Sequence, residues 1–410
     1  MFDVAIVGAR CSGSSLGMLL ARQGARVLLV DRATFPSDIP HGHFIHRHGP
    51  ARLHRWGVLD QIAARTPAVS NLLYDAGDFP LVARNLVEDG IAWGYAPRRL
   101  TLDKILLDAA VASGVEVREG FSVDEYVFED GRVAGIHGRG SDGQHVEERA
   151  TLVVGADGRN SPLARAVQAP TYNQVPPLLC YYFSYWSGVQ AEQFELYVRP
   201  DEKRVILAFE TEDDLFAIFI GFPVDEFPAF RSDIEASFIR TLDSIPGFGE
   251  RVRAGQRQER FYGASDLPNF YRKPFGPGWA LVGDAGMHKD PYLALGICDG
   301  LRDAELLATA VGSGLDGKRT MEDALAAYET QRNEASAADY EQNLAAARFL
   351  PMPPEVQAVR AAVRNRPDDA TQLIKAAMGM IEPQRFFNPQ NMQRLLGGAP
   401  PLALNHAVRP

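Results

Sequence analysis

At 410 residues, 46% of them hydrophobic, the chain is long enough to fill the cores of two domains. Its formal net charge of −10 excludes a general nucleic-acid binder, which would offer phosphates a basic surface. Cys11, Cys180 and Cys298 lie far apart with no C-x-x-C pair, which excludes a disulfide framework, a dithiol redox centre and a zinc knuckle and suits a reducing cytoplasm.

The chain enters its first strand at Phe2, so no signal peptide is expected, and no apolar run approaches the length that spans a bilayer. The run Val4-Ala5-Ile6-Val7 does not alternate, which predicts a strand buried on both faces of a parallel sheet. Gly8 permits the sharp turn that follows. Gly13 lets the next helix pack close to the strand, so that backbone N–H groups at the helix N-terminus point at a pyrophosphate. Residues 26–30 form a second strand ending in Asp31, placed to accept hydrogen bonds from a ribose. Strand, glycine turn, helix, strand and acid together predict a dinucleotide site. The middle glycine of G-x-G-x-x-G is replaced by Arg10, whose side chain is itself able to bind phosphate.

Residues 32–49 form a long loop containing His41, His43, His46 and His48. The loop has no cysteine and no acid after Asp38, so no metal site is expected there. It reads as polar lining, with Arg47 or His48 facing a cofactor phosphate. Helices are expected over 51–56 and 58–65, and short strand-like runs over 69–95 suggest an insertion. An amphipathic helix runs from Arg98-Arg99 to Ser113, closed by Gly114. Strands 115–118 and 122–128 follow, then an Asp130-Gly131 hairpin signal and a second turn at Asp142-Gly143. Residues 150–165 read as another buried strand ending in Gly155-Ala156-Asp157-Gly158, with Ser161 capping a helix that opens at Pro162. Residues 178–222 are β-rich and aromatic, a pattern used for sheet packing or for a ligand-contacting wall, and a helix over 233–245 covers one face. A third buried strand ends at Gly283-Asp284, followed by a proline loop and a long helix from about Leu295. Beyond Thr320 the chain is helical over 324–349, 355–364 and 370–380.

The N-terminal turn, Arg99-x-x-Leu102-Asp103, Gly155-Ala156-Asp157-Gly158 and Gly283-Asp284-Ala285 together resemble the FAD-dependent oxidoreductases of the p-hydroxybenzoate hydroxylase fold. That superfamily includes class A flavoprotein monooxygenases, geranylgeranyl reductases and flavin-dependent halogenases. The resemblance spans roughly residues 2–310 and implies an α/β fold. A Rossmann-like FAD-binding domain of the glutathione reductase type would comprise 1–68, 96–172 and 273–345. An inserted antiparallel β-sheet substrate domain would comprise 69–95 and 173–272, and a helical C-terminal segment 346–410. Carried over residue by residue, Gly8, Ser12 and Gly13 would hold the FAD pyrophosphate, Asp31 the adenosine ribose, and Arg99 the phosphate side. Asp157 would lie near the pyrophosphate and serve nicotinamide handling, Asp284 would bond the ribityl region, and Pro291 and Gly296 would shape the loop against the ring. Arg10, Cys11, Ser14, Arg32, Arg47, Val123, Gly283 and Ile297 complete the implied cofactor contacts.

The implied cofactors are tightly bound FAD and transient NADH or NADPH. A helix starting near Leu295 would aim its positive end at the flavin edge where charge accumulates on reduction, so no side-chain acid or base is required for that step. The first expectation is a cytoplasmic reductase of specialised metabolism, passing hydride to free flavin or an organic acceptor. The family's P-x-x-G-x-G is here Pro291-Tyr292-Leu293-Ala294-Leu295-Gly296, and alanine at the first glycine crowds the space where oxygen would react. The alternative is a monooxygenase acting on an aromatic or polyketide-like molecule beneath the 181–186 sheet. A third expectation, a non-enzymatic binding protein on the same fold, is opposed by the retained Asp31, Asp157 and Asp284. Halogenation is disfavoured because Trp56, Trp93, Trp186 and Trp279 are isolated, leaving no W-x-W-x-I-P. Cys298, His288 and Lys289 are read as structural. A monomer or homodimer without nucleic-acid or membrane partners is expected.

Overall fold

Val4, Ala5 and Ile6 are fully buried, as a strand without alternation requires. In the computed structural model, which describes residues 1–191 and 193–397, the strand Phe2–Val7 lies at the centre of a parallel sheet. Val27–Val30 pairs on one side with Val4 opposite Val27, and His145–Gly155 on the other with Val4 opposite Leu152. Glu116–Arg118 and Trp279–Leu281 extend the parallel set at either end. Its apolar cluster gathers Phe2, Ala5, Leu28, Val30, Val153 and Leu281, each buried aliphatic side chain contributing about 1.5–3 kcal/mol.

The long strand His145–Gly155 serves two partners. Its C-terminal half pairs with Phe2–Val7, while residues 145–149 pair antiparallel with Arg132–Arg139. Arg132–Arg139 in turn pairs with Ser122–Glu129 through a two-residue turn. Asp130 and Gly131 both have positive φ, 49° and 76°, the left-handed pair that a type I′ hairpin needs. Asp142 closes the next turn, its Oδ1 accepting from the Gln144 N–H at 3.0 Å.

The chain divides into two units. The first comprises Met1–Ala64, Pro97–Pro176 and Pro268–Ala338; the second comprises Arg65–Ala96, Pro177–Leu267 and Asp339–Pro410. The helical C-terminal residues, set apart as 346–410 from sequence, are thus grouped with the second unit as far as they are described. There Arg360, fully buried, donates to Asp78 at 2.7 Å and lies over the rings of Tyr74 and Phe79.

The second unit is built on one large sheet. Leu179–Ser187, Phe216–Pro223, Arg204–Glu210 and Phe194–Arg199 pair antiparallel in that order. Phe194–Arg199 then pairs parallel with Leu72–Asp75, so the expected antiparallel set is mixed at the point where the early insertion joins it. Strand alternation divides the aromatic residues between two faces. Tyr182, Trp186, Phe222 and Ile218 pack against Phe230, Phe238 and Phe248 of the helices Phe227–Ser232, Ile234–Asp243 and Phe248–Arg253. On the other face a row of rings crosses the strands: Tyr262, Phe183, Phe219, Phe209, Phe194 and Trp93, with neighbouring centroids 4.5–5.7 Å apart. No described helix is long and apolar enough to cross a membrane.

Candidate cofactor site

Three segments of the first unit converge on Ser12. The first is the turn after Phe2–Val7, where Gly8 has φ +108° and donates its N–H to Val30 at 2.8 Å. A Cβ at Gly8 would stand 2.3 Å from the Ala156 carbonyl oxygen. A Cβ at Gly13 would stand 1.8 Å from the Gly8 carbonyl oxygen, so the helix Cys11–Arg22 reaches the turn only because residue 13 has no side chain. The second segment is the Gly283–Ala285 turn and the third is the helix Gly296–Leu315. Cβ atoms built on Gly283 and Gly300 would lie 2.4 and 2.5 Å from the Ser12 hydroxyl.

No side chain caps the helix starting at Cys11, and none caps the one starting at Gly296. Each helix thus offers first-turn N–H groups and a positive dipole end. Ser14 is turned inward, donating to the Ala9 carbonyl at 2.7 Å. Asp31 holds the turn: its Oδ2 accepts from the Ala9 N–H at 2.7 Å and its Oδ1 from the Ala33 N–H at 2.8 Å. Arg32 is exposed beside it. Asp157 accepts from the Leu163 N–H at 3.3 Å through Oδ2, while Oδ1 is buried without a hydrogen-bond partner. Burial pushes its carboxyl pKa up.

The Arg10 guanidinium donates to Asp103 at 2.6 Å, to the Ser37 carbonyl at 3.1 Å and to the Ser37 hydroxyl at 3.2 Å. Asp103, fully buried, also accepts from Arg99 at 2.9 and 3.0 Å and from the Cys11 thiol at 3.2 Å. Burial pushes the Cys11 thiol far above its ordinary pKa, so it stays protonated and donating. The motif resemblance assigns Asp103 no role, yet its four-residue spacing from Arg99 is the signal for a helical ion pair. His41 keeps solvent contact yet stands among enough protein that burial, and then the Arg99 charge, push its pKa down to about 4; Asp284 opposes them. Val123 packs against the core cluster around Phe2 and Phe121.

The histidine loop rests on the late helix. His46 donates a ring N–H to the Leu293 carbonyl at 3.0 Å, and the Cys298 thiol donates to the His46 carbonyl at 3.2 Å. Arg47, half-buried, has a left-handed φ of 53°. Lys289 pairs with Asp299 at 2.7 Å, Asp299 with Arg302 at 2.7 Å, and His288 bonds the Pro268 carbonyl.

Pro291 opens a short 3-10 turn whose cap, Asp290, accepts from the Tyr292 N–H at 3.0 Å. Ala294 then adopts φ 51° and ψ 35°, the left-handed conformation that glycine adopts freely. The loop thus keeps a glycine-like backbone path with a methyl group added. Holding alanine there costs about 1–2 kcal/mol. After allowance for glycine's freer unfolded chain, Ala294→Gly is expected to raise unfolding stability by about 0.5–1 kcal/mol. Urea denaturation checks this; a loss of stability would mean that the methyl makes contacts worth more than the strain. Gly296 and the half-buried Ile297 follow at the helix start, with open space where a Gly296 Cβ would be.

The donor set fits FAD. Two uncapped helix starts, an acid ending the second strand, a buried carboxylate oxygen without a partner and close-packed glycines are the features that an extended dinucleotide needs.

A family model described as an FAD binding domain matches residues 1–229. The chain is 27% identical over 360 residues to digeranylgeranylglycerophospholipid reductase 2 of Methanothermobacter thermautotrophicus, covering 84% of this chain and 86% of that one. It is 26% identical over 356 residues to kynurenine 3-monooxygenase of Stenotrophomonas maltophilia, covering 80% and 75%. The myxobacterial chondrochloren halogenase CndH superposes with a TM-score of 0.75 at 18% identity, over 100% of this chain and 99% of that one. Sequence motifs, sheet order, glycine packing and family match agree: the chain belongs to the FAD binding domain family and is an FAD-dependent oxidoreductase of the p-hydroxybenzoate hydroxylase fold.

Proposed function

We propose that the protein is a reductase that takes hydride from NADH or NADPH and delivers it to free flavin or an organic acceptor. Bound FAD would supply the two-electron carrier between the two. The observation that carries this reading is Ala294, which holds left-handed backbone two residues before the Gly296 helix and brings a methyl group where the family motif has glycine; crowding there would disfavour reaction with oxygen. The similarity to a phospholipid reductase along most of both chains supports it.

In this reading the first-turn N–H groups of Cys11, Ser12 and Gly13 hold the pyrophosphate, with Gly8 and Ser14 fixing the turn. Asp31 takes the ribose, with Arg32 beside it. Arg99, Arg47 and Arg10 supply positive charge on the phosphate side, Arg10 and Arg99 through their shared carboxylate Asp103. Asp157, Gly283 and Asp284 line the nucleotide, and Val123 supports the sheet beneath it. Pro291, Gly296 and Ile297 shape the loop at the helix start, whose dipole favours negative charge on the cofactor. The nicotinamide is a visitor, and the protein is a monomer or homodimer.

A second reading, hydroxylation or epoxidation of an aromatic or polyketide-like molecule, draws on the ring row from Tyr262 to Trp93 and on the similarity to kynurenine 3-monooxygenase. Anaerobic reduction by each nicotinamide, followed by free FAD or isotopically labelled dioxygen, separates the two. Rapid nicotinamide oxidation sustained by free FAD is the expected result. Label appearing in an organic product would overturn the reductase reading, and a colourless protein that cannot be loaded with FAD would overturn both.

A further inference from the structure

The antiparallel extension of the first unit's sheet brings together three donors with no part in the cofactor site. The register steps from Val123 opposite Gly138 to Glu125 opposite His137, so Asp124 is the extra residue of a β-bulge. Bulges re-aim side chains. On the next strand His137 and Arg139, two residues apart, share a face, and His145 of the third strand pairs with Arg139. His137 and His145 are therefore diagonal neighbours; their rings stack with centroids 5.4 Å apart and planes 14° from parallel. One ligand atom from each of Asp124, His137 and His145 lies within 4.8 Å of the others.

We propose that Asp124, His137 and His145 form a binding site for one divalent first-row transition ion, of which Zn(II) is the reference case. Two imidazoles and a carboxylate are the donors such ions prefer, whereas Mg(II) and Ca(II) take oxygen alone. Tetrahedral Zn(II), with bonds of about 2.1 Å, sets its ligands about 3.4 Å apart, a closure within reach of small side-chain rotations in two exposed residues and one half-buried one. Arg139 donates to Asp124 at 3.0 and 3.3 Å, which holds the carboxylate as an outer partner holds a metal ligand. A carboxylate has about four lone-pair sites, so this pair leaves room for an ion. Exposure leaves the remaining coordination positions to water. The ion would clip the three strands Ser122–Glu129, Arg132–Arg139 and His145–Gly155 together at the sheet's edge.

The test uses the full-length flavoprotein, stripped with chelator and titrated with Zn(II) by calorimetry. Wild type and the control H54Q are expected to bind one saturable equivalent and to gain thermal stability as Zn(II) is added. D124N and H145Q are expected to bind about 10-fold or more weakly, and H137Q/H145Q to show neither binding nor the thermal gain. FAD content and metal-free melting temperature confirm that each variant is folded. Absence of a saturable equivalent in wild type, or wild-type affinity in H137Q/H145Q, would overturn the proposal, the second by placing the ion elsewhere.

Discussion

Asp103→Ala is expected to destabilise the protein by about 3–5 kcal/mol and to release FAD during purification. The carboxylate is fully buried and is the shared acceptor of Arg10, Arg99 and the Cys11 thiol. Its removal leaves the buried Arg99 guanidinium without its counter-ion and strips Arg10 of its carboxylate partner, leaving its bonds to the neutral Ser37. An uncompensated buried charge is far more costly than the loss of a surface pair. Because Arg10 is also the residue before the helix Cys11–Arg22, its displacement would disturb the helix start on which the pyrophosphate depends. Asp103→Asn, which keeps shape and loses charge, is expected to fall between wild type and Asp103→Ala. Urea unfolding and the flavin absorbance of the purified protein measure both effects. A cost below about 1 kcal/mol for Asp103→Ala would show that the cluster is relieved by solvent.

This cluster also marks where the sequence is legible and where it is not. The strand–turn–helix at Gly8–Gly13 and the hairpin at Asp130-Gly131 follow from local rules, since a buried strand cannot alternate and a two-residue hairpin needs left-handed residues. Arg10 reads locally only as a phosphate ligand, because its partner Asp103 lies 93 positions away on another helix. The resemblance groups 69–95 with 173–272, but the parallel pairing of Leu72–Asp75 with Phe194–Arg199 is equally non-local: β-propensity gives strands without naming their neighbours. The histidine loop is legible only in part. Its composition reads as polar lining, while the burial of His43 and His46 is set by tertiary packing and the bond from His46 reaches the Leu293 carbonyl, 247 positions away. Ala294 was visible as a departure from the motif, while its left-handed backbone, which turns that departure into strain, was not.

Gly13→Ala is expected to be among the most damaging single-methyl changes in the first unit. The added Cβ would lie 1.8 Å from the Gly8 carbonyl oxygen and 3.1 Å from the Ala156 Cβ. The carbonyl belongs to backbone fixed on both sides, since Gly8 donates to Val30 and the Ala156 N–H donates to Val7 at 2.8 Å. No rotamer relieves the contact, so the helix Cys11–Arg22 must retreat by about 1 Å. Overpacking of this kind costs about 3 kcal/mol or more, at the upper end of what such changes exact. It also draws the first-turn N–H groups away from the phosphates they would bind. Gly300→Ala makes the decisive comparison. Its Cβ would meet the Ser12 hydroxyl at 2.5 Å, the far end of a side chain that can rotate aside, so a loss of about 1 kcal/mol with FAD retained is expected. Equal losses of stability and flavin in the two variants would mean that the Ser12 contact, and not the approach of the helix to the Gly8 turn, governs cofactor binding.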